Sequence, residues 1–194
     1  FTPDQVADIQ AGVFVLGPSF RGEVGLNVIA ALASKGATIA ADVQGWVRVL
    51  RGGQLVYEAW PEAGSFLSRV DIVKADAVEA QWLTGETDIH RAAQRLAGLG
   101  PAEVVLTHRD GLLVLAGGQS HKAGFYPSNL VGRSGRGDTC LAAYVAKRLS
   151  AGPAEATIWA AALTSLKMEA EGPFRRDVDE VQDLIRERYD PRQG

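Results

Sequence analysis

The sequence contains a single cysteine, Cys140, among its 194 residues. One cysteine excludes an internal disulfide framework and favours a reducing compartment, so we expect a cytoplasmic protein. No apolar run approaches the roughly 20 residues that span a bilayer, and the chain does not open with a signal-peptide pattern. These absences predict that a membrane is not a partner.

Basic residues are not in excess either. The 20 Lys and Arg residues are outnumbered by 23 Asp and Glu residues, which gives a formal net charge of −3. A nucleic-acid-binding surface normally needs a basic balance, so we expect no nucleic-acid partner. The three histidines, His90, His108 and His121, lack the spacing of metal ligands. The sequence opens with Phe1 rather than methionine, which would fit a fragment, a processed product or the ordered part of a longer chain.

Glycine is abundant, with 22 residues, and short apolar runs alternate with helical patterns along the first half of the sequence. This alternation predicts parallel βαβ units. We therefore expect one domain over residues 1–194 with a three-layer α/β fold, a mostly parallel sheet flanked by helices. Strands are predicted at 13–16, 37–43, 71–74 and 103–106, hairpins at 46–58 and 111–125, and helices at 24–34, 66–70, 76–83, 89–99, 138–149, 153–169 and 178–189.

The most informative segment is a glycine-rich turn, Gly-Arg-Ser-Gly-Arg-Gly-Asp-Thr, at residues 132–139. Glycines let backbone N–H groups converge on an anion, and the helix predicted to follow adds its partial positive charge. The same helix start would stabilise a negatively charged carboxylate, and Asp138 stands there as the candidate proton acceptor. Phosphoryl transfer to an alcohol needs this combination of charge stabilisation and a nearby base.

Two other interpretations of this turn stay open at this point. It would also serve as a plain helix start with Asp138 or Thr139 as the N-cap. Its Arg-Gly-Asp triplet, residues 136–138, matches the tripeptide that integrins read, although a cysteine-poor chain makes an adhesion role improbable. The turn is not a Walker A loop, because Gly-Lys-Ser/Thr does not follow.

Residues 134–139, Ser-Gly-Arg-Gly-Asp-Thr, resemble the Thr-Gly-Ala-Gly-Asp-Thr signature of the ribokinase-like (PfkB) carbohydrate kinases. The resemblance implies that Gly135, Arg136 and Gly137 supply backbone N–H groups to an anion hole. It also implies that Asp138 is the catalytic base. The match departs from the signature at Arg136, where the family usually has a small residue, and a backbone role survives that change.

Two further segments resemble this family in the same order. Residues 74–80 resemble its Asn-x-x-Glu segment, which implies that Asp76 and Glu79 hold magnesium through water, although a capping box would explain the pair equally well. Residues 104–111 resemble the strand and loop that carry the phosphates and ribose of the nucleotide, which implies contacts from Thr107 and Gly111. This loop lacks the first glycine of the family pattern.

The helix at 159–167 is similar to the family helix beside the adenine, which implies that Ala162 and Ser165 contact the nucleotide, with close helix packing as the alternative. Residues 40–48 resemble a family strand that ends in aspartate. Here Asp42 and Arg48 would pair with each other or face the ligands. The resemblance runs over residues 13–172 and covers the C-terminal two-thirds of a usual member, without its N-terminal strands and lid.

The resemblance implies ATP-dependent phosphorylation of a hydroxyl on a sugar or polyol, with ATP and Mg²⁺ as cofactors and a homodimer as a possible assembly. A nucleoside kinase on the same fold is one alternative. A non-catalytic nucleotide-binding protein that kept the fold is another, since Asp76 and the loop at 107–111 depart from the family pattern.

Overall fold

The computed structural model describes residues 1–132 and 134–189. The chain divides into two compact units, residues 1–106 and the residues from Thr107 onward. The prediction of a single domain over residues 1–194 stays a prediction. In chain order the elements are α1 (Pro3–Val6), β1 (Val13–Leu16), α2 (Leu26–Ala33), β2 (Thr38–Asp42), α3 (Gln44–Val47), β3 (Arg48–Arg51), β4 (Gln54–Tyr57), α4 (Ala63–Leu67), β5 (Ile72–Asp76), α5 (Ala77–Thr84), α6 (Ile89–Ala97), β6 (Glu103–His108), β7 (Gly111–Ala116), β8 (Gln119–Gly124), α7 (Arg136–Arg148), α8 (Pro153–Lys167) and α9 (Val178–Arg188).

The sheet of the first unit has the strand order β1-β2-β5-β6. β1 pairs with β2 and β2 pairs with β5, both in parallel, and α2 lies between β1 and β2 in the chain. The middle strands consist largely of Ala, Val and Ile and are almost fully buried, as strands covered on both faces must be. The predicted α/β fold, a mostly parallel sheet flanked by helices, is confirmed.

A two-stranded antiparallel sheet of β3 and β4 confirms the predicted hairpin, although its first strand starts later than the pattern indicated. Trp46 and Val47 belong to α3 instead. The Trp46 ring stacks on Trp60 with 5.5 Å between centroids, and its ring nitrogen donates to the Val24 carbonyl at 2.9 Å. This tertiary packing explains why Trp46 is helical, although its neighbours in the sequence favour a strand.

The second unit combines the antiparallel pair β7–β8 with α7, α8 and α9. Small residues line α8, and one side of this helix packs against α9 around Ala162, Leu166 and Val181. Cys140 is fully buried in α7, as expected for a core thiol. α7 begins at Arg136, two residues before the predicted start. No helix in residues 1–132 or 134–189 has the length and apolarity needed to cross a membrane.

Candidate active site

The glycine-rich turn of the second unit leads directly into α7. Gly135 is the N-cap residue, with φ of +73°, and its carbonyl accepts from the Thr139 N–H at 3.0 Å. The alternative that Asp138 or Thr139 caps the helix is therefore wrong. Asp138 lies in the first turn of α7 and is exposed. The N–H groups of a helix's first turn lack partners within the helix, so they remain available to an anion.

The segment ahead of the turn is held on the end of α8. The N–H groups of Val131 and Gly132 both donate to the Met168 carbonyl, at 2.9 and 3.0 Å. The ammonium of Lys167 donates to the Gly132 carbonyl at 3.3 Å. These bonds fix the approach to the turn, so that its backbone is positioned before any ligand arrives.

Arg136, the first residue of α7, carries a positive charge that acts on its surroundings. The guanidinium of Arg136 lies 5.9 Å from the ring centroid of Phe125. Partial burial lowers the pKa of His108, and the charges of Arg136 and Lys122 lower it further, against the opposing charge of Asp110. The positive charge of Arg136 thus disfavours the protonated form of His108 at the end of β6.

The structure gives Thr107 and Gly111 definite positions. Thr107 lies at the end of β6, and its hydroxyl is buried without a hydrogen-bond partner in the described residues. Gly111 opens β7, where a Cβ would lie 2.3 Å from the Ala123 carbonyl oxygen of the paired strand. The strand pairing itself therefore requires glycine at position 111. The predicted contacts of both residues with a nucleotide stay predictions.

Ala162 and Ser165 lie on buried parts of α8, and neither is exposed to solvent. Ala162 belongs to the apolar cluster shared with α9. The Ser165 hydroxyl donates to the Ala161 carbonyl at 2.7 Å and accepts from the Tyr126 N–H at 2.9 Å. Their predicted contact with a nucleotide base stays a prediction.

The first unit carries a buried ionic cluster at the carboxyl ends of β2 and β5. Asp42 and Lys74 are register partners on these strands, so their side chains meet, with the ammonium 2.7 Å from the carboxylate. Burial acts to lower the pKa of Lys74, but the charges of Asp42 and Glu79 outweigh it and raise the pKa. Arg48 lies over the Tyr57 ring at 5.7 Å. Asp42 thus pairs with Lys74 rather than with Arg48.

Glu79 and Asp76 form the capping box that the sequence left open. Each carboxylate accepts from the other residue's backbone N–H at 2.8 Å. Glu79 is fully buried, and burial raises its pKa to about 7 against the opposing charge of Lys74. Its Oε1 has no hydrogen-bond partner in the described residues, whereas Asp76 is partly exposed.

A group of three or more His, Cys, Asp or Glu side chains that would hold a metal directly is absent from residues 1–132 and 134–189. The orphaned Oε1 of Glu79 and the accessible Asp76 do fit a contact through water, since carboxylates accept from metal-bound water. The predicted water-mediated role of this pair in binding magnesium stays a prediction.

The sequence did not lead us to assign a role to two lysines that the structure buries, Lys74 and Lys167. Lys74 interrupts an apolar strand, and Lys167 ends a largely apolar helix. A lysine within such a run is the signal that would have found them, because buried lysines are rare unless they are paired. The partner of Lys74 comes from another strand, so only the fold identifies it.

Neither protein-family models nor curated proteins give a match to this chain, but solved structures do. One is a pyrophosphate-dependent kinase in the ribokinase family, complexed with a pyrophosphate analog and myo-inositol. It is 34% identical over 94% of this chain and 66% of its own, with a TM-score of 0.88. Another is a pyrophosphate-dependent myo-inositol-1 kinase converted into a myo-inositol-3 kinase, 34% identical over 97% of this chain and 68% of its own, with a TM-score of 0.89. The chain belongs to the ribokinase family.

More distant members of the ribokinase family share the fold. The ribokinase of Arabidopsis thaliana, complexed with ribose and ATP, is 24% identical over 90% of this chain and 56% of its own, with a TM-score of 0.74. The chain thus spans about two-thirds or less of the length of these relatives.

Proposed function

We propose that the complete protein transfers a phosphoryl group from a phosphate donor to a hydroxyl of a sugar or polyol. The observation that carries this proposal is the exposed carboxylate of Asp138 in the first turn of α7, three residues after the left-handed Gly135. This arrangement sets a proton acceptor beside a cluster of N–H groups that stabilise negative charge.

In the proposed reaction Asp138 takes the proton of the acceptor hydroxyl as its oxygen forms a bond to phosphorus. The bond between that phosphorus and the donor's bridging oxygen breaks, and the leaving phosphate keeps the electron pair. The N–H groups of Gly135, Arg136 and Gly137 stabilise the charge on the transferred group. The family resemblance also implies a bound magnesium, which would supply positive charge, and Asp76 and Glu79 of the first unit are the residues that would hold it through water.

Asp138→Asn in the complete protein tests the base. We expect turnover to fall by at least about a hundredfold, because general-base catalysis contributes on that order. The matched control is Asp179→Asn, which changes an exposed carboxylate in the first turn of α9 and should leave the rate unchanged. Thermal unfolding checks that both variants fold. An Asp138→Asn protein that works at the wild-type rate would end the assignment.

Two compounds are candidates for the phosphoryl donor, ATP and inorganic pyrophosphate. ATP follows from the family resemblance, and solved structures of 24% and 17% identity are complexes with ATP. Inorganic pyrophosphate is favoured by one feature of the second unit: the face of α8 implied to lie beside the adenine is packed against protein at Ala162 and Ser165. A donor without a base needs no space there. The relatives of 34% identity are pyrophosphate-dependent.

Phosphorylation of myo-inositol by the complete protein, with each donor in turn, distinguishes the two candidates. We expect kcat/KM with pyrophosphate to exceed that with ATP by at least about tenfold, which corresponds to about 1.4 kcal/mol of transition-state binding. Ribose and a nucleoside serve as comparison acceptors, and the nucleoside covers the alternative of a nucleoside kinase. A higher kcat/KM with ATP would contradict the pyrophosphate donor and leave the kinase proposal intact.

A further inference from the structure

Lys167, the last residue of α8, is a buried cation with little to balance it. Lys167 is 3% exposed. Within the described residues its ammonium makes one hydrogen bond, which it donates to the Gly132 carbonyl at 3.3 Å. An ammonium has three N–H donors, so two of them lack a partner in the described part of the chain. The acidic residue two positions on, Glu169, is engaged by Arg176 at 2.6 Å.

A buried charge of this kind normally has a counter-ion. Removing an ammonium from water is unfavourable unless an opposite charge and good hydrogen bonds offset the loss of hydration. The carboxyl end of α8 supplies a partial negative charge, equivalent to about half an electron, which offsets only part of it. Within residues 1–132 and 134–189, no carboxylate lies within ion-pair distance of Lys167. The arrangement therefore points to an anion that is not part of the protein.

The position of the Lys167 side chain shows where that anion would bind. Its Cε lies 3.9 Å from the place that a Cβ would occupy on Gly135, so the side chain runs along the glycine-rich turn. Gly135 caps α7, a helix of 13 residues whose first N–H groups carry partial positive charge. Two separate positive features, a buried ammonium and a helix start, thus share one turn.

We propose that Lys167 is an anion-binding residue that supplies the positive charge at the glycine-rich turn for a phosphate group. A phosphate oxygen bound there would provide the counter-charge and accept the unused ammonium donors, as in other charge-assisted contacts. The inference rests on the proposed function for the identity of the anion, which is a phosphate group of the donor.

Binding of inorganic pyrophosphate tests this site. The complete protein is titrated calorimetrically with pyrophosphate and magnesium, without any acceptor. Lys167→Met keeps the length of the side chain and removes the charge, and we expect affinity to fall by at least about tenfold. The control is Lys147→Met in α7, whose ammonium pairs with Glu155 at 2.7 Å and lies over Trp159, and it should bind like the wild type.

Thermal unfolding without pyrophosphate separates this role from a structural one. Replacing an unbalanced buried charge by an apolar group of similar shape should leave Tm unchanged or raise it. An ammonium needed only to hold Gly132 predicts a lower Tm and an unchanged affinity, and that result would overturn the proposal. If the Met variant does not fold, Lys167→Gln keeps a donor to Gly132 without the charge. Unchanged affinity in that variant overturns the proposal equally.

The outcomes also separate this inference from the proposed function. If the wild type phosphorylates no alcohol but binds pyrophosphate in a Lys167-dependent way, the kinase assignment fails and the anion site stands. If the wild type phosphorylates myo-inositol and Lys167→Met does so with an unchanged KM for pyrophosphate, the anion site fails and the kinase assignment stands. A wild type that does not bind pyrophosphate overturns the site as well.

Discussion

At the residue scale, the buried cluster of Asp42, Lys74 and Glu79 carries a charge that depends on pH. The folded state raises the pKa of Glu79 from 4.5 to about 7, so this side chain binds its proton more tightly when folded. Its contribution to stability is therefore fully present below about pH 4.5 and is lost as pH rises through 7. Lys74 remains charged over this range, because its pKa is raised from 10.5.

Glu79→Gln makes this dependence measurable. We expect the free energy of unfolding of the wild type to fall relative to the variant between pH 4.5 and 7, by on the order of 3 kcal/mol for a shift of this size. Urea unfolding at several pH values gives the difference between the two proteins. Glu62→Gln, which changes an exposed glutamate, is the control and should track the wild type. Parallel curves for wild type and Glu79→Gln would contradict the raised pKa.

At the scale of elements, the start of α7 depends on the backbone of a single residue. Gly135 has φ of +73°, which side-chain-bearing residues rarely adopt, whereas Gly152, the N-cap of α8, has φ of −72°. A Cβ on Gly135 would meet only Lys167, at an ordinary contact distance, and a Cβ on Gly152 would meet nothing within 4 Å. The two glycines therefore differ in backbone strain rather than in available space.

This difference predicts different outcomes for alanine at the two helix starts. Gly135→Ala should lower the free energy of unfolding by about 1 to 2 kcal/mol, the cost of a left-handed conformation, and should lower turnover by displacing the N–H groups of the turn. Gly152→Ala should change stability by less than about 1 kcal/mol and leave turnover unchanged. Denaturant unfolding and steady-state kinetics measure both quantities. Equal effects at the two positions would contradict the role given to the turn.

Most elements were predictable from local patterns, and the departures have physical causes. The strands β1, β2 and β5 are short apolar runs that end at turn residues, so they could be predicted as buried strands from the sequence. Trp46 joined α3 because of its stacking on Trp60, a contact made across the fold. α7 started earlier than predicted because Gly135, not Asp138, caps it.

At the scale of the whole molecule, the chain has the ribokinase fold in a shorter span. It covers about two-thirds of the length of the pyrophosphate-dependent relatives that are 34% identical to it. Its acceptor and donor are accordingly matters for experiment with the complete protein. The packing of α8 against α9, which supports the proposed pyrophosphate donor, is also a property of this scale, because neither helix shows it by itself.

The sequence by itself determined most strands and helices and the glycine-rich turn with Asp138, because periodicity, glycine spacing and a helix start are local properties of a chain. Its resemblance to a family signature also indicated the ribokinase family. Only the tertiary structure decided that Asp42 pairs with Lys74, that Glu79 is buried, and that Lys167 lies along the turn of Gly135. Those facts depend on register and burial, which bring together residues far apart in the chain, and electrostatic energies depend on both.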